Sequence, residues 1–492
     1  MVNYDSNDKG VGVNYNFAGS VKGLYWKTKE DNERIKEIIQ NYNLYRGKHC
    51  ASDGGPLRNP YQDKKAEGEH ILYEIQNLLG KATNKFKDLI CGEDIIISSK
   101  NPNNKDLLES FEWFDIIQEA LIYQSYAGYC GLQAFITEKS VNIRVIEPEC
   151  LFLDFDKYGG VQKITKKIFF EVEINKKIKE LLYQEEHFKG YYLISFFEVS
   201  GDEIIKKLDL SLLKEYCNID LVIEREETGL DDFLISIVFN EKLKEKIFSD
   251  YTLSARRWQE SLNNRETMIN RILDVHASPR LIAPRSLAMP DEKSGKWSYN
   301  IQGREIIFVN DTGTQTLSYL TWDGQLVAAE KQRDHAIKSL CTELDIAPQL
   351  LGFHNLVGNT TAETSSKLKQ MMDSTVKKAQ RKRRNLENTL KKFITNILTL
   401  LNYASVDEFY MDFSEILPET KEEKLSEIVV RKQNKLEDSI TAIMDLDNIT
   451  EEEAKIKYDK IIAESVNEVQ NPYPFYPNEA DKEDKENEDV EE

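Results

Sequence analysis

Apolar residues recur every three or four positions in three long stretches of this chain, the spacing that places them on one face of a helix. The first stretch runs from Ile71 to Ile90 and is followed by Gly92, a residue type that often ends a helix. The second begins at Tyr251 and covers about 27 residues, or on the order of 40 Å at the usual helical rise. The third runs from Ser365 to Leu401, which predicts a helix about 55 Å long.

A different pattern separates the second helix from a helix predicted between about Gln325 and Leu344. Pro279, Pro284 and Pro290 interrupt the helical spacing, because proline removes a backbone donor and clashes with the preceding turn. Short strand-like runs follow at Trp297 to Ile301, Glu305 to Val309 and Thr316 to Trp322. The pattern predicts a β module of roughly 50 residues between two helices, at their far tip if the helices lie side by side.

The remaining segments complete a mixed fold. A helix is predicted near Ile116 to Tyr126, and two or three short helices are predicted after Pro418. Strands are predicted at Asn142 to Ile146, Leu151 to Phe155 and Lys166 to Val172. The predicted fold class is α+β, mainly helical, with long helices and small β modules.

Charge is distributed unevenly along the 492 residues. The chain carries 65 Lys and Arg against 85 Asp and Glu, a net charge of −20, which excludes a generally basic nucleic-acid coat. Residues 365–392 nevertheless contain ten cations and two acids, a local charge of +8. Residues 478–492 contain nine acids and two lysines and are predicted to be disordered. With 40% hydrophobic residues, the rest of the chain can bury real cores.

Targeting and redox signals are mostly negative. The first thirty residues contain no basic start followed by an apolar run, so no signal peptide is expected. The longest uncharged stretch, Ala120 to Thr137, contains polar residues and predicts a buried helix and strand rather than a membrane span. Six scattered cysteines without a CxxC pair predict small core residues in a reducing compartment. We therefore expect a protein made inside a cell, without a membrane partner.

Signatures of common enzymes are absent from the sequence. It contains no phosphate-binding glycine loop, HExxH pair or GxSxG elbow. Asp154, Asp156 and Gly159 resemble the start of a calcium loop, but Tyr158 occupies a ligand position and Thr165 replaces the bidentate Glu. A turn is the favoured interpretation, and we expect no catalytic residue, metal or cofactor.

The basic segment of the third helix is the strongest charge feature. Its candidate site residues are Lys377, Lys378, Arg381, Lys382 and Arg384. One interpretation is a solvated face, or one paired with acidic C-terminal helices or a neighbouring subunit. The other is direct contact with DNA phosphates. Both interpretations stay open at the level of the sequence.

Several short motifs occur in a distinctive order along the chain. They are Tyr45 to His49 (YRGKH), Ser249 to Tyr251 (SDY), Ile346 to Pro348 (IAP) with Leu351-Gly352, and Phe413 to Pro418 (FSEILP). Together with the order helix, β module, returning helix, Gly/Asn/Thr loop and long helix, this pattern resembles the portal protein family of tailed bacteriophages. One departure is the Thr360 to Thr364 segment, which replaces a small Ser-Gly step and leaves the register of the loop open.

The resemblance covers nearly the whole chain and implies a division into named regions. It assigns residues 1–246 to a wing, 247–275 to a stem helix, 276–324 to a β-rich clip, 325–350 to a second stem helix, 351–364 to a tunnel loop, 365–402 to a long basic wing helix, 403–470 to a helical crown and 471–492 to a disordered acidic tail. It also implies a homo-oligomeric ring, expected to be a dodecamer, at one capsid vertex of a virion assembled in the host bacterial cytoplasm.

A portal-like ring would serve as the conduit for packaging and ejection of double-stranded DNA. The resemblance implies the large terminase subunit, a head-tail adaptor, the major capsid protein and scaffold as partners. Asn355, Asn359, Thr360 and Thr361 are the tunnel-loop candidates for uncharged DNA contact. Gly352 and Gly358 are the candidate hinges of that loop. A plain helix connector without DNA contact is an equally open interpretation of the loop.

Two other functions stay open. One is a structural or scaffold protein of another large assembly, with the same long helices but without a ring. The other is a metal-dependent nucleic-acid enzyme that uses its carboxylates, which predicts DNA cleavage with magnesium or manganese.

Overall fold

The structure of the protein is a computed structural model. It describes residues 24–61, 72–92, 95–99, 101–136, 141–174, 176–217, 224–277, 281–284, 289–290, 297–298, 306–309, 318–319, 326–357, 365–401, 409–413, 416, 421–436, 438–447 and 451–470. The described residues divide into two compact units, with the boundary at Leu417.

Eleven α-helices occur within the described residues. They are α1 (Lys29–Tyr45), α2 (Leu78–Ile90), α3 (Pro102–Glu109), α4 (Trp113–Tyr126), α5 (Leu212–Cys217), α6 (Leu253–Ala277), α7 (Leu326–Glu343), α8 (Ser365–Leu400), α9 (Lys421–Gln433), α10 (Ser439–Asp447) and α11 (Glu451–Gln470). The 3-10 turns Pro348–Leu351 and His354–Val357 lie between α7 and α8 in the chain. A further 3-10 turn, Pro148–Cys150, lies between two strands.

The strands form several small sheets and one larger one. They are β1 (Ile96–Ser99), β2 (Tyr129–Ile136), β3 (Val141–Ile146), β4 (Leu151–Phe155), β5 (Val161–Ile174), β6 (Lys177–Phe188), β7 (Tyr191–Ser200), β8 (Glu203–Leu208), β9 (Arg225–Glu227), β10 (Ile235–Phe239), β11 (Glu241–Leu243), β12 (Lys246–Phe248), β13 (Leu281–Pro284), β14 (Met289–Pro290), β15 (Trp297–Ser298), β16 (Ile306–Val309), β17 (Ser318–Tyr319) and β18 (Phe409–Asp412). The larger sheet has the order β4-β5-β6-β7-β8, with β9 paired to β7. The predicted α+β, mainly helical fold class is confirmed.

The sequence pattern places the start of α2 too early. Residues 72–77 belong to no helix or strand, and the helix begins at Leu78 rather than near Ile71. Asn77 caps it, because its side-chain oxygen accepts the backbone N–H of Gly80 at 2.9 Å. An apolar spacing alone cannot distinguish a first helical turn from the non-helical residues that precede a cap.

Helices α6 and α7 form an antiparallel pair in the first unit. Near the start of α6, Thr252 Oγ1 donates to Glu343 Oε1 at the end of α7, at 2.8 Å. Farther along the pair, the rings of Trp258 and His335 meet edge to face with 5.6 Å between centroids. The chain between the two helices contains β13 to β17, of which β13 pairs in parallel with β16 and antiparallel with β17. The described strands of the expected β module thus fall at the turn of a helical hairpin.

The apolar stripe of α6 packs into the core of the first unit. Tyr251, Ala255 and Leu262 are almost fully buried in one cluster together with Leu340 of α7. This stripe is therefore covered within the chain itself. Among the described residues of the hairpin, the exposed large apolar side chains are others: Leu253, Met268, Leu273 and Val327.

The C-terminal boundary falls later than residue 403. Strand β18 pairs antiparallel with β1, so Phe409–Asp412 belongs to the first unit. The second unit contains α9, α10 and α11, consistent with the short helices predicted after Pro418. The expected acidic tail, residues 471–492, lies outside the described residues.

Candidate functional site

The start of α6 positions a buried carboxylate. Thr252 precedes the helix, and its Oγ1 accepts the backbone N–H of Ala255 at 3.1 Å, which satisfies one of the free donors of the first turn. Asp250 lies just before this cap, and its backbone N–H donates to Ser125 O at 2.8 Å. The side chain of Asp250 is thereby directed toward α8.

Two lysines of α8 meet this carboxylate. Lys378 and Lys382 are four residues apart, so they lie on the same face of the helix. Their ammonium nitrogens are 3.0 Å and 2.7 Å from Asp250 Oδ1 and Oδ2, respectively. Each side chain is at most 10% exposed. The cluster therefore holds two cations and one anion away from solvent.

Further hydrogen bonds connect the two ammonium groups to neighbouring elements. Lys378 Nζ donates to Leu344 O at 2.9 Å, a carbonyl left without a helical partner just after α7. Lys382 Nζ donates to Ser125 Oγ at 3.0 Å and to Asn240 Oδ1 at 2.7 Å. This network, which we call the Asp250 cluster, joins α8 to α6, to the end of α7 and to the loop before β11.

Burial and attraction compete in the Asp250 cluster. Burial opposes ionisation of Asp250, but the attraction of Lys382 and Lys378 outweighs it and holds the pKa of the carboxyl below its usual range. Burial lowers the pKa of Lys382 to about 8, against the opposing attraction of Asp250. Both groups are charged at neutral pH, so an ion pair and not a neutral hydrogen bond connects the helices.

The other three candidate cations of the basic helix lie on its outer face. Lys377 is exposed and 2.7 Å from Asp373, and Arg381 is exposed and 3.5 Å from Asp345. Arg384 is exposed as well. The five candidate residues of this helix thus separate into two buried lysines that serve the fold and three cations that face solvent. For Lys378 and Lys382, contact with DNA or another subunit is excluded by their burial within the chain.

A second buried network lies farther along α6 and is uncharged. Gln259, Asn263 and Thr267 occupy successive turns of one face and are almost fully buried. Their side chains bind the backbone of residues 74–79, where the chain enters α2: Gln259 Oε1 accepts the N–H groups of Leu78 and Leu79 at 3.1 Å and 3.3 Å. These N–H groups are donors of the first turn of α2, so α6 caps α2 from outside.

The other two side chains of this network also accept backbone N–H groups. Asn263 Oδ1 accepts the N–H of Gln76 at 3.3 Å, and Thr267 Oγ1 accepts that of Glu74 at 3.0 Å. Asn263 Nδ2 donates to Nδ1 of the buried His49 at 2.8 Å. Burial lowers the pKa of His49 to about 4, so its ring is neutral at pH 7 and able to accept this bond.

The tunnel-loop candidates are only partly described. Asn355 is exposed in the 3-10 turn His354–Val357. Gly352 has φ of +93°, a left-handed conformation that glycine adopts without strain, where it ends the turn Pro348–Leu351. Gly358, Asn359, Thr360 and Thr361 lie outside the described residues.

The calcium-like motif forms a turn. Asp156 Oδ1 accepts the backbone N–H groups of Tyr158 and Gly160, each at 2.8 Å, and Asp154 pairs with Lys163 at 2.9 Å. Within the described ranges, no group of three or more His, Cys, Asp or Glu side chains is arranged to hold a metal ion. Across the same part of the chain, no helix combines the length and apolar character needed to cross a membrane.

Sequence reasoning missed both buried networks. Asp250 is 128 and 132 positions from its two lysines in the numbering, and nothing local indicates the pairing. The four-residue spacing of Gln259, Asn263 and Thr267 was a usable signal, because polar residues on the buried face of an amphipathic helix need partners.

No protein-family model matches this chain, and a search of curated proteins found no match.

Proposed function

We propose that the protein is a portal-type subunit that assembles into a ring and forms a conduit for double-stranded DNA. The observation that carries the proposal is the antiparallel pair of α6 and α7 with a strand-containing segment at its turn. After α7 the chain forms the turn Pro348–Leu351 and, farther on, the 36-residue helix α8. This order is the one on which the resemblance to portal proteins rests.

Exposed apolar side chains on the hairpin support assembly. Leu253 and Val327 are 64% and 63% exposed, and Leu273 is 46% exposed. Contact of such groups with another copy removes apolar surface from water, at about 25 cal/mol per Å². A head-to-tail contact of this kind closes into a ring when a whole number of equal rotations between neighbouring copies makes a full turn.

The net charge of −20 is compatible with passage of DNA. An acidic body repels a duplex and does not hold it tightly, whereas a cationic channel would bind phosphates and slow their movement. Under this proposal, the strand-containing segment 276–324 docks the packaging ATPase during filling and the head-tail adaptor afterwards. The ring performs no chemistry of its own.

Light scattering after size-exclusion chromatography tests the assembly step. We expect the wild-type chain of 57.0 kDa to elute as one closed oligomer of many copies. Leu273→Asp combined with Val327→Asp is expected to shift it to monomers, because two buried carboxylates would disfavour the contact.

Asn270→Asp combined with Gln332→Asp is the matched control, since both residues are exposed and polar and lie on the same two helices as Leu273 and Val327. This variant should keep the oligomer. Monomers or an open series of sizes in the wild type would contradict the proposal and favour a scaffold protein without a ring. Cleavage of DNA by the purified protein with magnesium or manganese would favour the enzyme instead.

A further inference from the structure

The outer face of α8 presents a continuous row of cations. Five cations of α8 are exposed: Lys377, Arg381, Arg384, Lys391 and Lys392. The first four are separated by four, three and seven residues and Lys392 follows Lys391 directly, so all five lie within about 100° on one side of the helix. From the first to the last, the row is about 22 Å long at the usual helical rise. We call these five residues the outer row.

The Asp250 cluster fixes which side of α8 faces outward. Lys378 and Lys382 face inward and pair with Asp250, whereas Lys377 and Arg381, each about 100° around the helix from the lysine that follows it, are exposed. Leu386, Leu390 and Phe393, on the side of α8 opposite the outer row, lie in the core. The orientation of the outer row is thus determined by the fold.

Acids near the outer row offer only weak competition. Asp373 and Asp345 pair with Lys377 and Arg381, but all four side chains are between 45% and 67% exposed. Ion pairs in water contribute about 0–1 kcal/mol, so another anion can replace these carboxylates. Glu387 is directed to Arg383 at 2.7 Å and does not join the row.

The chemistry of this face favours a phosphate polymer over a protein partner. Between the cations, the exposed positions are polar, among them Gln380 and Asn388. No large apolar side chain is exposed on the described part of α8, residues 371–400. Protein interfaces are anchored by buried aromatic and aliphatic groups, whereas DNA-binding surfaces are polar and cationic. Apolar groups suited to subunit contact occur instead on α6 and α7.

We propose that the outer row binds the phosphate backbone of double-stranded DNA without sequence preference. Lysine and arginine supply the charge, and the amides of Gln380 and Asn388 supply hydrogen bonds to phosphate oxygens. The site is separate from the conduit proposed above and does not require ring closure. It gives an acidic protein a local place to hold DNA.

Fluorescence anisotropy with two duplexes of unrelated sequence tests this site on the full chain. The outer-row variant combines Lys377→Gln, Arg381→Gln, Arg384→Gln, Lys391→Gln and Lys392→Gln. The control removes the same charge from exposed lysines elsewhere and combines Lys29→Gln, Lys36→Gln, Lys157→Gln, Lys176→Gln and Lys206→Gln. Oligomer mass is measured on every sample.

We expect the outer-row variant to bind both duplexes at least about tenfold more weakly at moderate salt, with a lower salt dependence. The control should change affinity by less than about threefold. No binding by the wild type, equal losses in both variants or no loss in the outer-row variant would overturn the proposal. A changed oligomer mass in the outer-row variant would overturn it in favour of a subunit contact. A wild type that binds DNA through this row but forms no ring would contradict only the proposed conduit.

Discussion

The inner and outer faces of α8 carry the same kind of side chain with opposite consequences. Lys378 and Lys382 are 10% and 3% exposed and share one buried carboxylate. Their sequence neighbours Lys377 and Arg381 are 65% and 67% exposed. The cations that give this segment its charge of +8 therefore have two roles: some connect helices inside the protein, and others form a row that faces solvent. Counting cations along a sequence cannot separate these two roles, but burial does.

This difference changes how the basic helix should be tested. A variant that replaces Lys377, Lys378, Arg381 and Lys382 together removes two buried ion-pair partners along with two surface charges. Loss of assembly or of DNA binding in that variant would follow from a damaged fold as easily as from a lost contact. The inner and outer residues need separate variants.

The largest expected effect comes from the buried face. Asp250→Asn keeps the shape of the side chain but leaves two buried ammonium groups without a counter-charge. Breaking a buried ion pair from one side costs about 3–5 kcal/mol, because the remaining charge is neither solvated nor paired. We expect a loss of this size in the free energy of unfolding, measured in urea at pH 7.

Asp345→Asn is the matched change on the outer face. It removes the partner of the exposed Arg381, so we expect a loss below about 1 kcal/mol. Equal effects of the two substitutions would mean that burial does not distinguish the two faces of α8.

A smaller effect is expected where the buried network is neutral. Gln259→Ala leaves the N–H groups of Leu78 and Leu79 without their external cap, although the backbone of α2 is unchanged. An unsatisfied buried donor costs about 1–3 kcal/mol, so we expect a loss of about 2–3 kcal/mol in urea unfolding. Gln380→Ala, at an exposed position of α8, serves as the control and should change stability by less than about 0.5 kcal/mol. A loss for Gln259→Ala no larger than that of its control would show that water replaces the cap.

The smallest of the three effects depends on pH. Burial lowers the pKa of His49 to about 4 in the folded chain, against an ordinary value of 6.5, so the unfolded state binds the proton first as the pH falls. The stability due to the neutral ring is complete above pH 6.5 and decreases by at most about 1.4 kcal/mol per pH unit toward pH 4. Between pH 6.5 and 5 we expect His49 to contribute a loss of about 2 kcal/mol.

His49→Gln should flatten this part of the stability curve, since glutamine does not titrate. Urea unfolding at several pH values measures the difference between the variant and the wild type. A variant that keeps the full slope between pH 6.5 and 5 would assign the dependence to another group.

Periodic patterns predicted the helices of this fold well where the helices bury one apolar face. Ser365–Leu400 was expected to within one residue, and its stripe from Met372 to Ile397 is buried as predicted. The long strands β6 and β7 were missed. Gln184, Glu185 and Glu186 are buried in β6, so the alternation of apolar and polar residues that marks a strand is lost there.

The candidate site was predictable only in part. A helix with a strong local charge is visible in the sequence, but its division into two faces depends on Asp250, which is distant in the chain. The four-residue spacing of Gln259, Asn263 and Thr267 indicates that this face of α6 needs polar partners, but residue types do not identify those partners because they are mainly backbone groups. Pairings that depend on tertiary packing therefore become known only from the structure.

Electron microscopy of the purified wild-type protein, viewed along the particle axis, tests the central claim most directly. The proposed function predicts closed rings of one size with a central channel wide enough for a DNA duplex, about 20 Å across. Monomers, open filaments or closed particles without a channel would contradict it.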